Sequence, residues 1–543
     1  MQKNNFDSET EAYKKVIESD PLNINACFIL ANIYNENNKY ISAIEYYNKA
    51  IALNPAYAII YNNLGIAYAK NNEHAKAVKS FEKAVELGHK EITTYNYTGI
   101  SYNRLEIYDK ALECFNKALN IDPNFAGTYI YLGNCYNDTE KFDKAIESYK
   151  IAIKLNPVNF EAYNNLGNSY KETEEYDTAI ECYNRALELN PDHIETFINI
   201  GVSYYCKNDF DKAEKYYKKA IEYNPEYGEA YNNLSTIYRM KGDFERGWEL
   251  FEQRFNLRPD NKNRLALPAI DQPAWTGSSI KNKTVYVYWE QGFGDTLMFV
   301  RYLPVLAAMG ARVLFKPQKE LETLLRQNNL NAEIISPFAV DSSVKFDEHV
   351  SLMSLPGILK TDLTNIPYSE GYLKADPEKE KFYKEKYFNN DKFKIGIFWQ
   401  GNPKGFKRRA AKPEYFYKFA KLENVQLYSL QKGYGTEQLK EIPEEINIID
   451  LGSGFNDYSD TAAAITNLDL VITIDTSVAH LSAALQKETW IMLNFDNEWR
   501  WLLEGETTPW YKHIKLFRQK CKSDREESFE KALEELKIKI KNI

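Results

Sequence analysis

Proline recurs at Pro21, Pro55, Pro123, Pro157, Pro191, Pro225 and Pro259, spaced by 34 residues with a single gap of 68, and Gly88 supplies the turn signal inside that gap. A turn every 34 residues leaves room for two short helices per unit. One such hairpin cannot bury its apolar face alone, so the units must stack. Counting from Ile24, the eleventh position is tyrosine in all seven units: Tyr34, Tyr68, Tyr102, Tyr136, Tyr170, Tyr204 and Tyr238. The twentieth is Ala43, Ala77, Ala111, Ala145, Ala179 and Ala213, then Gly247, small residues where two helices must approach closely. Position eighteen carries Asp109, Asp143, Asp177 and Asp211 at the predicted start of each second helix, where a carboxylate caps the helix or complements its dipole.

The pattern Leu64-Gly65…Tyr68…Ala77…Phe81…Ala84, with six sister units, resembles the tetratricopeptide repeat (TPR). The resemblance covers seven full repeats from residue 24 to 261, and 7–19 read as the second helix of a leading partial repeat, which gives a predicted solenoid over 1–261. It implies an all-α superhelix whose concave wall is built from the first helices. The fifth and sixth positions place Asn62, Asn63, Asn96, Asn164, Asn165, Asn199, Asn232 and Asn233 on that wall. Two readings stand side by side. The amides hydrogen-bond the backbone of an extended peptide, as resembling arrays do in some protein-modifying glycosyltransferases, with Asn63, Asn165, Asn199 and Asn233 as acceptor-binding candidates; or they only solvate the helices.

Beyond the repeats, residues 262–283 carry two prolines and no helical period, and read as a linker. A β-branched and aromatic run at 284–289 (TVYVYW) then leads through a Gly-rich turn into an apolar helix, and further strands are predicted at 312–315, 332–335 and 348–352. A second series starts at 393–399 (FKIGIFW) and continues at 425–429, 446–451, 470–474 and 489–493. The alternation of strands and helices predicts parallel sheets. The chain thus divides into an α/β domain over 284–375, a bridging helix over 376–390, a second α/β domain over 391–520 and a closing helix within 521–543.

Open α/β sheets bind ligands at the carboxyl ends of their strands, so the residues to examine are those just after each strand. After the first come Gln291-Gly292-Phe293-Gly294-Asp295. Gly292 and Gly294 let a ligand approach the backbone or simply make a tight turn, and Asp295 either accepts a proton from an attacking hydroxyl or caps the helix. Gln400 and Asn402 follow the strand at 393–399, and Lys432 follows that at 425–429. Asp475-Thr476-Ser477-Val478-Ala479-His480 follows an apolar strand and opens a helix, offering hydroxyls, amides and an imidazole to phosphates, or a local cap. Lys432 and the run Lys407-Arg408-Arg409 are charges for a diphosphate or ordinary solvated surface.

These segments, WEQGFGDTLMFVRYLP, IGIFWQGNPK, LYSLQKG, DLVITIDTSVAHLSAAL and DNEWRWLL…TPWY…LFRQ, resemble the family-9, heptosyltransferase-like glycosyltransferases, and more closely their versions fused behind TPR arrays. The resemblance implies a pair of Rossmann-like domains of the GT-B type and an inverting displacement from a nucleotide-diphosphate sugar. It implies Asp295 as catalytic base, and Gly292, Gly294, Gln400, Asn402, Lys432, Asp475, Thr476, Ser477 and His480 as donor contacts. Many relatives have glycine where Ser477 stands, and no residue identifies the base or sugar of the donor. No metal is expected: metal-dependent transferases of the other fold class use D-x-D, and Asp209-Phe210-Asp211, the one match, falls on a repeat's helix start.

The 68 basic and 77 acidic residues give a net charge of −9, with −10 up to Leu257 and +1 from Arg258 onward, so the basic footprint of a nucleic-acid-binding protein is missing. Six scattered cysteines without a C-x-x-C pair, no apolar leader and no stretch of about 18 apolar residues point to a cytoplasmic protein without a membrane span. The expected fold is therefore α + α/β, and the expected activity is metal-independent transfer of a sugar to a protein or peptide acceptor recruited by the repeats. The alternative is a non-catalytic TPR scaffold or peptide-binding protein with a degenerate α/β half.

Overall fold

The computed structural model describes residues 2–256, 270–402, 409–495, 497–521 and 524–541. The chain forms two compact units, Met1–Tyr216 and Tyr217–Ile543.

The first unit opens with the helix Gln2–Ser19 and continues as antiparallel hairpins, the first two being Ile24–Glu36 with Tyr40–Leu53 and Ala58–Lys70 with His74–Glu86. Each hairpin turns through one left-handed residue, at Asn38, Asn72, Glu106, Glu140, Glu174 and Asn208, with φ between 57° and 66°. The alanines at position twenty are fully buried, as are those seven residues later, including Ala50, Ala84, Ala118, Ala152 and Ala186. In repeats two to five glycine at position eight is a steric requirement: a Cβ on Gly65, Gly99, Gly133 or Gly167 would stand 2.5–2.6 Å from the ring of Phe81, Phe115, Tyr149 or Tyr183, whereas the first repeat carries Ala31 there. The position-eighteen aspartates take the dipole role. Asp109, Asp143 and Asp177 sit in the first turn of helices whose preceding residue makes no side-chain cap.

The second unit contains the seventh hairpin, Gly228–Met240 with Phe244–Phe251, and two all-parallel sheets. The first has β1 (Thr284–Tyr288), β2 (Arg312–Lys316), β3 (Ala332–Ile334) and β4 (Glu348–Ser351) in the order β3-β2-β1-β4. The second has β5 (Phe393–Phe398), β6 (Val425–Ser429), β7 (Ile448–Asp450), β8 (Leu470–Thr473), β9 (Thr489–Leu493) and β10 (Ile514–Arg518), in the order β10-β9-β8-β5-β6-β7. Numbered within its own sheet, the second order is that of the doubly wound Rossmann fold, and the first follows the same scheme for four strands. β10 is a strand that the sequence pattern does not announce. The helices Pro377–Tyr387, begun by Asp376 accepting from the amides of Glu378 and Lys379, and Arg525–Lys541 fall where helices are expected.

The seventh hairpin packs as part of the α/β unit. The Arg239 guanidinium, 2% exposed, stacks 4.2 Å from the Phe251 ring and 4.6 Å from that of Trp499. Trp248 donates its indole N–H to the Thr361 carbonyl at 2.9 Å and meets the Trp499 ring edge-on at 5.3 Å. Arg239 also explains why this repeat alone has glycine at position twenty: a Cβ on Gly247 would lie 2.5 Å from Arg239 Cγ. Arg254 clamps the end of β1, giving Nε and Nη2 to the buried Glu290 at 2.6 and 2.8 Å and Nη2 to Ser354 at 2.8 Å.

Candidate functional site

In a doubly wound sheet the crevice opens where neighbouring connections leave in opposite directions. β1 pairs with both β2 and β4, and β5 with both β6 and β8, so these are the switch points of the two sheets. Gly292–Asp295 follow β1, Gln400–Asn402 follow β5, and Asp475–His480 follow β8. The three turns meet. A Cβ on Gly294 would lie 3.0 Å from His480 Cδ2 and 3.5 Å from Ser477 Cα, and one on Gly401 would lie 3.6 Å from Thr476 Cγ2. Gly294 therefore permits the close approach of the two sheets' turns. Gly292 and Asn402 are exposed, and Gly294, Thr476, Ser477 and Gln400 are half-buried, so solvent reaches this meeting point.

A chain of charges runs across it. Asp295 sits in the first turn of the helix Phe293–Phe299, with Oδ2 accepting from the Gly292 amide at 3.1 Å and Oδ1 from Arg500 Nη2. Arg500 donates its other terminal nitrogen to Glu498, Glu498 also accepts from Arg409, and Arg409 Nη1 lies 3.3 Å from Asp475 Oδ2. Burial pushes the carboxyls of Asp295 and Asp475 above the usual range, against the pull of Arg500 and Arg409. Burial acts on Glu498 too, but Arg409 and Arg500 outweigh it and bring the group down to about 2. Arg500 fixes the orientation of the Asp295 carboxyl at this turn. Arg500 Nε is buried with no hydrogen-bond partner.

His480 is 3% exposed, stacks on Trp501 at 5.3 Å between ring centroids, and shares a 3.0 Å hydrogen bond between Nδ1 and the Tyr511 hydroxyl. Burial, then the nearby Arg500, Arg301 and Arg409, hold its pKa well below the ordinary histidine value, so the ring is neutral at physiological pH. Ser477 Oγ lies 2.8 Å from the Tyr458 hydroxyl, and Phe293 packs 5.3 Å from the Tyr458 ring, another tie across the two turns. Lys432 is exposed and donates to the carbonyls of Phe455 and, at 3.4 Å, Asn456. Its neighbour Gln431, fully buried, does the local shaping: Oε1 accepts from the amides of Trp399 and Gln400 at 3.1 Å each, and Nε2 donates to the Gln400 carbonyl at 2.6 Å. Arg409 joins the charge chain, whereas Lys407 and Arg408 lie outside the described residues.

Sequence reasoning missed Arg500, Glu498 and Gln431 as individuals. The first two lie within the quoted DNEWRWLL segment, seven and five residues beyond β9, and Gln431 lies in LYSLQKG, two residues beyond β6, so the signal was polar residues in the segment that follows a buried strand. The D-x-D match serves the repeat: Asp209 accepts from the Lys212 amide at 3.2 Å and pairs with its ammonium at 2.8 Å.

On the repeats, the asparagines separate into two sets. Three of those at position five are buried and spent on stacking: Asn62, Asn96 and Asn164 accept from Thr94, Thr128 and Thr196 of the following repeat at 2.9, 3.0 and 2.9 Å, while Asn232 on the seventh hairpin is half-buried. Those at position six are half-buried. Asn63 and Asn165 donate to Asn32 and Asn134 at 3.0 Å, Asn199 donates to Asn164 at 3.4 Å, and Asn233 is half-buried on the seventh hairpin. Asn165, with Asn103, Asn134, Asn137 and Asn168, lines a cavity of about 360 Å³ on repeats three to five. Asn134 and Asn168 also accept from the hydroxyls of Tyr149 and Tyr183 at 2.6 and 2.8 Å. Among the described residues, no helix is long and apolar enough to cross a membrane.

Sequence models of the tetratricopeptide repeat match residues 57–124 and 159–224, 31–72 and 133–174, and 114–147 and 216–249. Protein FlbA of Caulobacter vibrioides is 24% identical over 300 residues, covering 49% of this chain and 48% of that protein, so the chain spans about half the length of the curated relative it matches. Among solved structures, YrrB, described as a TPR protein with an unusual peptide-binding site, is 24% identical over 34% of this chain and 96% of its own, with a TM-score of 0.29. Yeast Tom70 is 21% identical over 47% of this chain and 56% of its own, with a TM-score of 0.39. The N-terminal hairpins are tetratricopeptide repeats, a protein-interaction scaffold.

Proposed function

We propose that the second unit is an inverting glycosyltransferase of the GT-B type, which transfers a sugar from a nucleotide diphosphate to a protein or peptide acceptor recruited by the repeats. The observation that carries the reading is the direct meeting of the Gly294 turn with the Ser477–His480 turn, each at the switch point of its own parallel sheet. Asp295, its carboxyl lifted by burial, is the base that accepts the acceptor hydroxyl's proton as the oxygen attacks the anomeric carbon. The sugar–phosphate bond breaks on the opposite face, and the diphosphate leaves with the bonding pair. The amino end of the helix Ser477–Ala484, the Thr476 and Ser477 hydroxyls and Lys432 are the groups that take the growing negative charge, and no step in this scheme requires a metal. Neutral His480 serves as a hydrogen-bonding wall and contributes no charge.

Purified protein incubated with a panel of nucleotide sugars tests the proposal, with nucleotide release and the mass of candidate acceptors as readouts. Asp295→Asn is expected to lower turnover by at least ~10²-fold while leaving nucleotide binding in place. Failure to bind any nucleotide refutes the class; full transfer by Asp295→Asn refutes the assigned base. The scaffold-only reading draws on the repeats themselves and predicts partner binding with no nucleotide dependence.

A further inference from the structure

The second unit also holds a larger cavity of about 790 Å³, between the helix Phe244–Phe251 of the seventh hairpin, strand β4 and residues 354–362, reaching Tyr288 at the carboxyl end of β1. That volume falls within the ~300–1,000 Å³ of specific ligand sites. Trp248, Trp275 and Tyr288, all at least nine-tenths buried, form its aromatic lining. Both indole N–H groups are already committed, Trp248 to the Thr361 carbonyl at 2.9 Å and Trp275 to that of Ser278 at 2.8 Å, so their rings contribute only π surface.

The rim is acidic. Glu245, Glu249 and Glu252 follow one another at helical spacing and all line the cavity. Glu252 is compensated by Arg254 at 2.6 Å, and Asp362 is engaged by Thr364 at 2.6 Å. Glu245 and Glu249 are exposed and make no ion pair among the described residues, where Lys360 is the one cation on the lining. The buried Nδ1 of His349, on β4, adds a ring nitrogen with no hydrogen-bond partner among the described residues. Aromatic faces beneath two uncompensated carboxylates suit a cation on an aliphatic stem, which gains cation–π and charge-assisted contacts together.

We propose that this cavity binds a lysine or arginine side chain presented on a partner polypeptide, whether or not sugar transfer occurs at the switch-point turns. It gives the second unit its own means of selecting partners with basic segments.

The test is fluorescence anisotropy of a labelled peptide, glycine- and serine-flanked with a central Arg-Lys pair, titrated with the full-length chain, beside the same peptide with norleucine at both positions. Binding of the basic peptide, weakened about tenfold or more by Glu245→Gln/Glu249→Gln and by raised salt, is expected. Glu222→Gln/Glu226→Gln removes two exposed carboxylates elsewhere and is expected to leave the affinity unchanged. The proposal is overturned if the basic peptide does not bind, if norleucine binds equally, or if both double variants weaken binding alike, which would mark a general response to the acidic surface. Both variants change exposed side chains only, so folding does not confound the comparison.

Discussion

Replacing Arg500 with alanine strands Asp295 and Glu498, two carboxylates whose side chains are only 14% and 25% exposed, with one guanidinium fewer, since Arg409 alone remains in the chain. Removing one partner of a buried ion pair costs about 3–5 kcal/mol, most of it the penalty on the abandoned charge. The second unit has about 330 residues. At ~2.1 cal/mol/K of unfolding entropy per residue its melting entropy is ~0.7 kcal/mol/K, so the loss corresponds to a fall in Tm of ~4–7 °C. The pH dependence separates charge from packing. The folded-state pKa of Asp295 already lies above its unfolded value, and loss of Arg500 raises it further. The cost of that charge is absent below the unfolded pKa and complete above the folded one, so stability falls as pH rises through the window between them. The deficit of Arg500→Ala is therefore larger at pH 8 than at pH 5. Scanning calorimetry of the full chain at both values measures it, and Arg500→Ala/Asp295→Asn is expected to regain about half the loss by removing the stranded charge. Equal deficits at both pH values, or no recovery in the double variant, refute the electrostatic account and leave Arg500 a packing residue.

Gly133→Ala forces a methyl group to within 2.5 Å of the Tyr149 ring; overpacking of ~1–3 kcal/mol outweighs the ~1 kcal/mol gain in helix propensity, so the first unit's melting temperature falls, and a rise overturns the steric argument. Thr128→Val leaves the buried Asn96 carbonyl oxygen without its donor at 3.0 Å and is expected to cost ~1–3 kcal/mol in denaturant titrations. The companion change Asn96→Leu/Thr128→Val is expected to recover part of that loss, because an apolar pair then faces an apolar pair.

That last expectation comes from a regularity legible in the sequence once the contacts are known. Where position five is Asn, the next repeat has Thr at position three, as in Asn62–Thr94; where it is apolar, so is the partner, as in Ile130–Ala162. Tyrosine at position twenty-four likewise goes with Asn at position nine in Tyr47–Asn32 and Tyr149–Asn134, while Phe81 and Phe115 go with Ile66 and Ile100. Local rules exposed the repeats because each unit restates them. They exposed nine of the strands as short runs of apolar, β-branched or aromatic residues set between turns and helical patterns. β10 (IKLFR) has the same mix of charged and apolar residues as β2 (RVLFK), but it follows irregular chain over 502–513, so no alternation of strand and helix announced it. The turns of the candidate site were legible because each directly follows an apolar strand, with glycine marking those after β1 and β5 and Asp-Thr-Ser that after β8. The Asp295–Arg500 pair was not, since its members stand 205 residues apart and nothing local to either names the other.

The 34-residue register runs unchanged across residues 216 and 217, yet packing changes allegiance there: Arg239, Phe244 and Trp248 belong with Trp499 and Trp510. A cut placed at the end of the repeats, after residue 256, would strip the α/β half of an aromatic lid and leave Glu290 without Arg254. Any exchange of one repeat array for another has to be made upstream, within the sixth hairpin, with the seventh carried along as the fixed adaptor. Homologous recombination among repeats could therefore lengthen or shorten the array while the adaptor stays bound to the sheets it serves.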